Sequence, residues 1–577
     1  MSQYTIGKDI LVETDVAVPM RDGVTLYADI YRPLDLEEPL PAILQRTPYD
    51  KRIGGSSYAH PSWFARHGYV VVVQDTRGRW RSEGDFYPFL YEEQDGYDTV
   101  EWVAALPYVD GKVGMIGISY HGATQLLAAV ARPPHLRCIV PCMTGSDYYR
   151  GWTYRGGALL LAFAESWALL LSENIARRKK LGNLEYALHQ DFLNIPSWTR
   201  FLPLKDFPPL KRPEIPPFFF DWITHSTYDE YWKRWSIERR HHQIAVPALH
   251  VGGWYDIFLD GTLRNFTGLQ EKGATPEARE GQKLIIGPWY HTTWGRQVGE
   301  IDFGEEAKNR ISYEIIRWCD RWLKGKENQV DAEPAVTLFV MGENRWRTES
   351  EWPPARTRYV NYYLHSRGYA NSLNGDGVLD TTPPTLEPPD VYPYAPQTPT
   401  PSFGGRSCCD PAITPMGPAD QRVVEKAGTV LVYTGAPLES PLEVTGPIQA
   451  TIWAATDVVD TDFTVKLLDV YPDGRAINIA DGIIRARFRD SLESPSLLEP
   501  HRIYRYTIDL TATSNLFLPG HAIRVEVASS HFPQYDANPN TGRPLGEDSR
   551  SDGITATQVI YHDALHPSHI TLPVIPR

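Results

Sequence analysis

Lys112-Val-Gly-Met-Ile-Gly-Ile-Ser-Tyr-His-Gly122 is the stretch whose reading sets the architecture. Val113 to Ile118 is a short apolar run and reads as a buried strand. Ser119 follows, between Gly117 and Gly122. Ala123-Thr-Gln-Leu-Leu-Ala-Ala-Val-Ala131 then reads as a helix, stopped by Pro133-Pro134. A strand, a sharp turn carrying serine and a helix form a nucleophile elbow. The turn is strained, so its flanking residues must be small. The serine hydroxyl then sits at the sheet edge, over a helix N-terminus that favours negative charge. The usual G-x-S-x-G spacing departs here: position 121 is His121 and the second glycine is Gly122. The plain alternative is a serine N-cap after an ordinary strand.

The runs around the elbow decide between these readings. Val16-Ala-Val and Thr25-Leu-Tyr-Ala-Asp-Ile-Tyr flank Arg21-Asp22-Gly23 and predict a hairpin over 15–33. Pro41-Ala-Ile-Leu44 and Tyr69-Val-Val-Val-Val73 predict strands, and a helical pattern covers about 92–105. Continuous apolar strands alternating with helices imply a buried, mostly parallel sheet. The expected class is therefore α/β, with an α/β-hydrolase domain built from 1–145 and 241–330. Between them, residues 146–240 hold a long apolar helix at about 157–174, Phe218-Phe-Phe220 and six tryptophans. This segment reads as an inserted helical cap. After 330 the chain is strand-rich and helix-poor, with a Pro-rich loop at 382–402, so 331–577 reads as a C-terminal jelly-roll β-sandwich.

Composition narrows the function. The formal charge is −14 and no Lys/Arg block stands out, which excludes nucleic acid and anionic membrane as partners. The longest apolar stretch, Ala158 to Leu171, is interrupted by Glu165 and too short to span a bilayer. The N-terminus lacks the basic and apolar regions of a signal peptide, so a cytoplasmic location is expected. Cys138, Cys142, Cys319, Cys408 and Cys409 form no C-x-x-C pair, so neither a zinc site nor a disulfide framework is expected. A homodimer or higher assembly is compatible with a chain of this size.

A nucleophilic serine needs a base, and the base needs a carboxylate to fix its tautomer. In the α/β-hydrolase order these follow the serine at later strand ends. Asp256 lies after the run Val246 to Val251 and Gly252-Gly253; Asp260 is a weaker rival. His291 lies after Lys283-Leu-Ile-Ile286 and the turn Gly287-Pro288. Asp75 precedes the serine among Arg77, Arg79 and Arg81, and reads as a buried ion pair. His250 reads as a core residue, and His241 and His242 as exposed. Ser119, Asp256 and His291 are thus the candidate triad. The backbone N–H of Tyr120 is one oxyanion donor. The early loop Gln45-Arg-Thr-Pro-Tyr-Asp-Lys51 has no glycine-rich donor, and leaves the Tyr49 hydroxyl or a surface tyrosine as the alternatives.

Arg46-Thr-Pro-Tyr-Asp-Lys51, Gly117-Ile-Ser-Tyr-His-Gly122, Gly252-Gly-Trp-Tyr-Asp256 and Gly287-Pro-Trp-Tyr-His291 resemble, in this order, the cocaine-esterase-like hydrolases. That family is grouped with X-prolyl dipeptidyl-peptidases and α-amino acid ester hydrolases. The C-terminal motifs Val340-Met-Gly-Glu-Asn-Arg-Trp-Arg347, Glu351-Trp-Pro-Pro-Ala-Arg356, Tyr471-Pro-Asp-Gly474, Gly520-His-Ala-Ile-Arg524 and Ser529-Ser-His-Phe-Pro533 resemble its jelly-roll domain. The resemblance implies Ser119 as nucleophile, His291 as base, Asp256 as its orienter, and Tyr49 O–H with Tyr120 N–H as oxyanion donors. It places the second glycine at Gly122. It implies a small-molecule ester or amide substrate, and no metal or organic cofactor.

Apolar Ile257-Phe258-Leu259 follows Asp256, where amino-ester hydrolases carry acidic residues, so an apolar or aromatic acyl group is expected. His121, Trp152, Trp167 and Phe258 are the expected pocket residues. Glu165 could meet a cation; the alternative is an exposed or paired glutamate. The runner-up reading is an X-Pro dipeptidyl-peptidase or an α-amino acid ester hydrolase or acylase. A binding module on an inactive hydrolase scaffold is the non-enzymatic alternative.

Overall fold

Val70–Asp75 is buried at every residue, and a strand with no exposed face needs neighbours on both sides and helices on both faces. It finds them in the computed structural model, which describes residues 2–53 and 58–576. Eleven strands form the first sheet: β1 (Ser2–Ile6), β2 (Ile10–Pro19), β3 (Thr25–Pro33), β4 (Leu40–Thr47), β5 (Val70–Asp75), β6 (Val109–Ile118), β7 (Leu136–Cys142), β8 (Ala248–Gly253), β9 (Gln282–Gly287), β10 (Val336–Val340) and β11 (Arg345–Glu349). Their order is β1-β2-β3-β5-β4-β6-β7-β8-β9-β10-β11. The run β5-β4-β6-β7-β8-β9-β10 is parallel, and its strands end on one edge. The antiparallel hairpin β2–β3 brings the N-terminal meander onto β5.

The sheet reaches past residue 330. β10 pairs parallel with β9, and β11 returns antiparallel. The run Val336-Thr-Leu-Phe-Val340, read as the start of the sandwich, is instead part of the hydrolase sheet. An apolar β-branched run specifies a buried strand but not which sheet receives it.

Between β7 and β8 the cap contributes the helices Leu161–Arg178 and Gly182–Leu193 and several shorter ones. Its core is aromatic: Trp167 stacks on Phe163 at 5.6 Å and on Trp222 at 5.6 Å. Offset stacking of this kind contributes beyond area burial. Cap and C-terminal unit are bonded directly, Leu159 N donating to Asp536 Oδ1 at 2.8 Å and Arg485 N to the Gly156 carbonyl at 2.8 Å.

The C-terminal strands form one continuous ladder from Asp390–Tyr394 to Ala476–Arg485, with Tyr504–Phe517 paired on Leu442–Thr456. Ala476–Arg485 packs against Tyr504–Phe517, so the ladder closes on itself as a β-sandwich. It shares a core with the first sheet, and Tyr255, just after β8, donates to the Asn478 carbonyl at 2.9 Å. No helix among the described residues is long and apolar enough to cross a membrane.

Candidate active site

Ser119 follows β6 with φ 62° and ψ −123°, a conformation costly for a residue with a Cβ. Its N–H is anchored on the Cys142 carbonyl at 2.9 Å, and its own carbonyl accepts from Thr144 Oγ1 at 2.8 Å. The glycines follow from crowding. A Cβ on Gly117 would lie 2.3 Å from His121 Cβ, and one on Gly122 would lie 2.7 Å from Thr144 Cβ. The usual glycine spacing fails at 121 because the tight approach falls at 122. The helix Tyr120–Val130 starts at once, so the Tyr120 N–H has no intrahelical acceptor. The Tyr120 ring is pinned below: its hydroxyl donates to Glu92 Oε1 at 2.9 Å, and Glu92 Oε2 takes Arg46 at 2.8 Å.

The loops after β8 and β9 carry the two other candidates. Asp256 is fully buried; Oδ1 accepts from His291 Nδ1 at 2.7 Å and Oδ2 from Phe258 N at 3.1 Å. Nδ1–H thereby points at the carboxylate, and the other ring nitrogen, Nε2, is left as the acceptor. Ser119, His291 and Tyr49 all line one cavity of about 480 Å³. The Tyr49 hydroxyl accepts from Trp167 Nε1 at 3.0 Å and shares the cavity with Ser119. Burial pushes its pKa up to about 12, so it stays a neutral donor.

Of the four expected pocket residues, His121 and Trp167 line the cavity. His121 gives Nδ1 to the Ile118 carbonyl at 2.9 Å, and burial pushes it down to about 4, so it is a neutral wall. Trp152 and Phe258 are not among the lining residues. They stack on each other at 4.2 Å one layer behind, Phe258 edge-on to His291 at 5.1 Å and Trp152 against Trp167 at 5.5 Å. They pack behind His291 and the cap tryptophan instead. Phe163, Ser166 and Leu170 complete the cap wall with Trp167. Their i, i+3, i+4, i+7 spacing puts them on one helix face, but the helix is buried on most sides, so the spacing alone does not single that face out. Cys409, Asp410 and Pro411 enter from the C-terminal unit. Nothing local in the sequence marks them.

Three other expectations change. Asp75 is a buried ion pair, but its partner is Lys51 Nζ at 3.3 Å, not an arginine. Arg77 is taken by Asp95, and Arg79 bonds the Pro48 and Leu171 carbonyls. Glu165 is neither exposed nor paired: it is fully buried, both oxygens lack a partner, and burial holds its carboxyl well above the usual range. His241 is buried against Asn265 at 3.2 Å, whereas His242 is exposed and His250 is a core residue on Gln282 at 2.8 Å.

Comparison with known proteins finds relatives across both halves of the chain. Residues 22–293 match the family described as X-Pro dipeptidyl-peptidase (S15 family), and 328–571 match the X-Pro dipeptidyl-peptidase C-terminal non-catalytic domain. The chain is 40% identical to a cocaine esterase of Rhodococcus sp. over 98% of its own length and 99% of that protein's. An α-amino acid ester hydrolase superposes with a TM-score of 0.84 at 26% identity, over 99% of this chain and 98% of that one. An aminopeptidase from a Thaumarchaeota archaeon does so with a TM-score of 0.82 at 25% identity, over 100% and 99%. The serine elbow, the α/β sheet and the trailing sandwich thus have one explanation: the chain belongs to the X-Pro dipeptidyl-peptidase (S15) family and is a serine ester hydrolase.

Proposed function

We propose that this enzyme hydrolyses carboxylic esters with an apolar or aromatic acyl group, using Ser119, His291 and Asp256. The observation that carries the reading is the convergence of Ser119, His291 and Tyr49 on one cavity whose wall is made by Phe163, Trp167, Leu170 and Phe192. Ser119 Oγ attacks the acyl carbonyl while His291 Nε2 takes its proton. Asp256 holds the ring and stabilises the imidazolium that forms. The oxyanion is met by the Tyr120 N–H and the Tyr49 O–H, a side-chain donor in place of a second backbone one. Collapse expels the alcohol, which takes the proton from His291 and leaves an acyl-Ser119. Water, deprotonated by His291, attacks the acyl carbon and releases the acid.

Asp410 favours a second reading, an α-amino acid ester or amide. It lines the cavity as a half-buried carboxylate and could pair with a substrate ammonium. A matched panel decides between the readings: p-nitrophenyl butyrate, an aryl benzoate ester, phenylglycine methyl ester and Gly-Pro-p-nitroanilide, each with wild type and Ser119→Ala. The expected outcome is Ser119-dependent turnover of the first two in preference to the last two. The reverse preference would hand the site to the amine-bearing substrates.

A further inference from the structure

Cys408 and Cys409 sit beside the base. The two form a vicinal disulfide. Each sulfur and a ring nitrogen of His291 lie within 4.8 Å of one another, a spacing compatible with three ligands of a single ion. Among the described residues no other group of histidine, cysteine or carboxylate side chains does this. Nδ1 of His291 is held by Asp256, so the nitrogen left for a ligand is Nε2. A carboxylate on the far nitrogen is the support that metal-bound histidines usually have. Cys408 is buried, Cys409 is exposed, and Cys409 lines the cavity, which gives an ion a way in.

We propose that Cys408 and Cys409, once reduced to thiols, form with His291 an inhibitory site for a soft divalent cation of the Zn²⁺ or Cd²⁺ type. Two thiolates and an imidazole are a ligand set such ions favour, with water completing the tetrahedron. The disulfide cannot bind in this way, because its sulfurs carry no charge to donate. A dithiol reductant opens it: two electrons and two protons pass to the cysteine sulfurs, and the reductant closes to its own cyclic disulfide. Metal binding then displaces the two thiol protons and takes the Nε2 lone pair. The ion and the serine proton compete for that lone pair, so occupancy silences hydrolysis. The same residues make the enzyme metal-sensitive when reduced and metal-tolerant when oxidised.

Binding stands without the catalytic assignment, whereas inhibition rests on His291 as the base. Two readouts keep them apart. The full chain is reduced with dithiothreitol, desalted without air and titrated with Cd²⁺. The ultraviolet thiolate-to-cadmium charge-transfer band reads binding, and hydrolysis of p-nitrophenyl butyrate reads inhibition. The expected result is one Cd²⁺ per chain, with activity falling at least about tenfold and returning on addition of EDTA. The disulfide form should show neither change. Cys409→Ser, at an exposed position, and Cys408→Ser/Cys409→Ser should each weaken Cd²⁺ binding at least about tenfold. The buried thiols Cys138, Cys142 and Cys319 remain in both variants as internal controls. Equal Cd²⁺ response in oxidised and reduced protein, or an unaltered band in the double variant, would overturn the site. A band without loss of activity would overturn its reach to His291. A band with no measurable esterase activity in any sample would leave the site standing and refute the proposed function instead.

Discussion

His291 and His521 each hold an aspartate through Nδ1 at 2.7 Å, the first with Asp256 in the hydrolase sheet, the second with Asp469 in the sandwich. Both pairs are buried, and both histidines border a hollow. The bond is therefore not what makes one of them a candidate base. The difference lies beyond the second nitrogen. The hollow at His291 includes Ser119 on a strained turn and the Tyr49 hydroxyl. The hollow at His521 is lined by no serine, threonine or cysteine, and the ring packs on Tyr471 at 4.5 Å. Burial raises the Asp469 carboxyl and His521 opposes this. A histidine–aspartate bond becomes catalytic machinery only when a nucleophile and oxyanion donors face it.

Substitutions on both sides test that contrast, and the largest effect is expected at the nucleophile. Ser119→Ala should lower kcat by about 10⁶, and His291→Ala by a similar factor. His521→Ala should leave kcat within about twofold while costing about 1–3 kcal/mol of stability, because Asp469 loses its buried partner. Parallel kcat and urea-midpoint measurements on the three variants check this. A kcat collapse in His521→Ala would mean the two pairs are not functionally distinct. The next effect belongs to the oxyanion donors. Tyr49→Phe should reduce kcat by about 10²–10³ with little change in the urea midpoint. An unchanged kcat would remove Tyr49 from that role, and Tyr120 N–H would need another partner.

The same contrast explains what was legible. The elbow and the Asp256–His291 pair are readable because each lies at the end of an apolar strand, where polar residues and glycine have a local signature. The α/β class follows from Val70–Asp75 and its like, since continuous apolar strands require two covered faces. The pocket wall resists such reading. The helix Leu161–Arg178 is buried on most sides, so its phase alone does not say that Phe163, Ser166 and Leu170 face the cavity while Glu165 does not. Trp152 and Phe258 show that a large aromatic ring serves as well one layer behind a pocket as in its wall. Cys409 arrives from the C-terminal unit, and the Lys51 partner of Asp75 depends on the neighbouring arginines already being engaged. These are choices of tertiary packing, made between residues remote in the chain.

Acid separates the two regions more gently. In the hydrolase sheet burial pushes His250 down to about 4, with Gln282 opposing. The unfolded chain therefore takes up a proton at about 6.5 that the folded chain refuses until about 4. Stability from this group is present above 6.5 and lost as pH falls toward 4, a loss of about 3 kcal/mol at most. In the sandwich His562 shifts the other way: burial opposes its charge, but Asp390 at 3.0 Å and Glu387 at 3.1 Å overcome it, and the net shift is upward. Its contribution is full below 6.5 and is lost as pH rises through the raised value. His250→Gln should accordingly flatten the loss of stability between pH 6.5 and 4, while His562→Gln should remove the gain in stability that His562 gives as pH falls from 8 to 6.5. Urea midpoints at pH 5 and pH 8 measure both. The opposed signs are the sharp part of the test. Both variants lose a hydrogen bond at every pH, so a pH-independent drop would be ordinary damage. Only a sign reversal between the two distinguishes a histidine kept neutral by burial from one kept charged by its carboxylates.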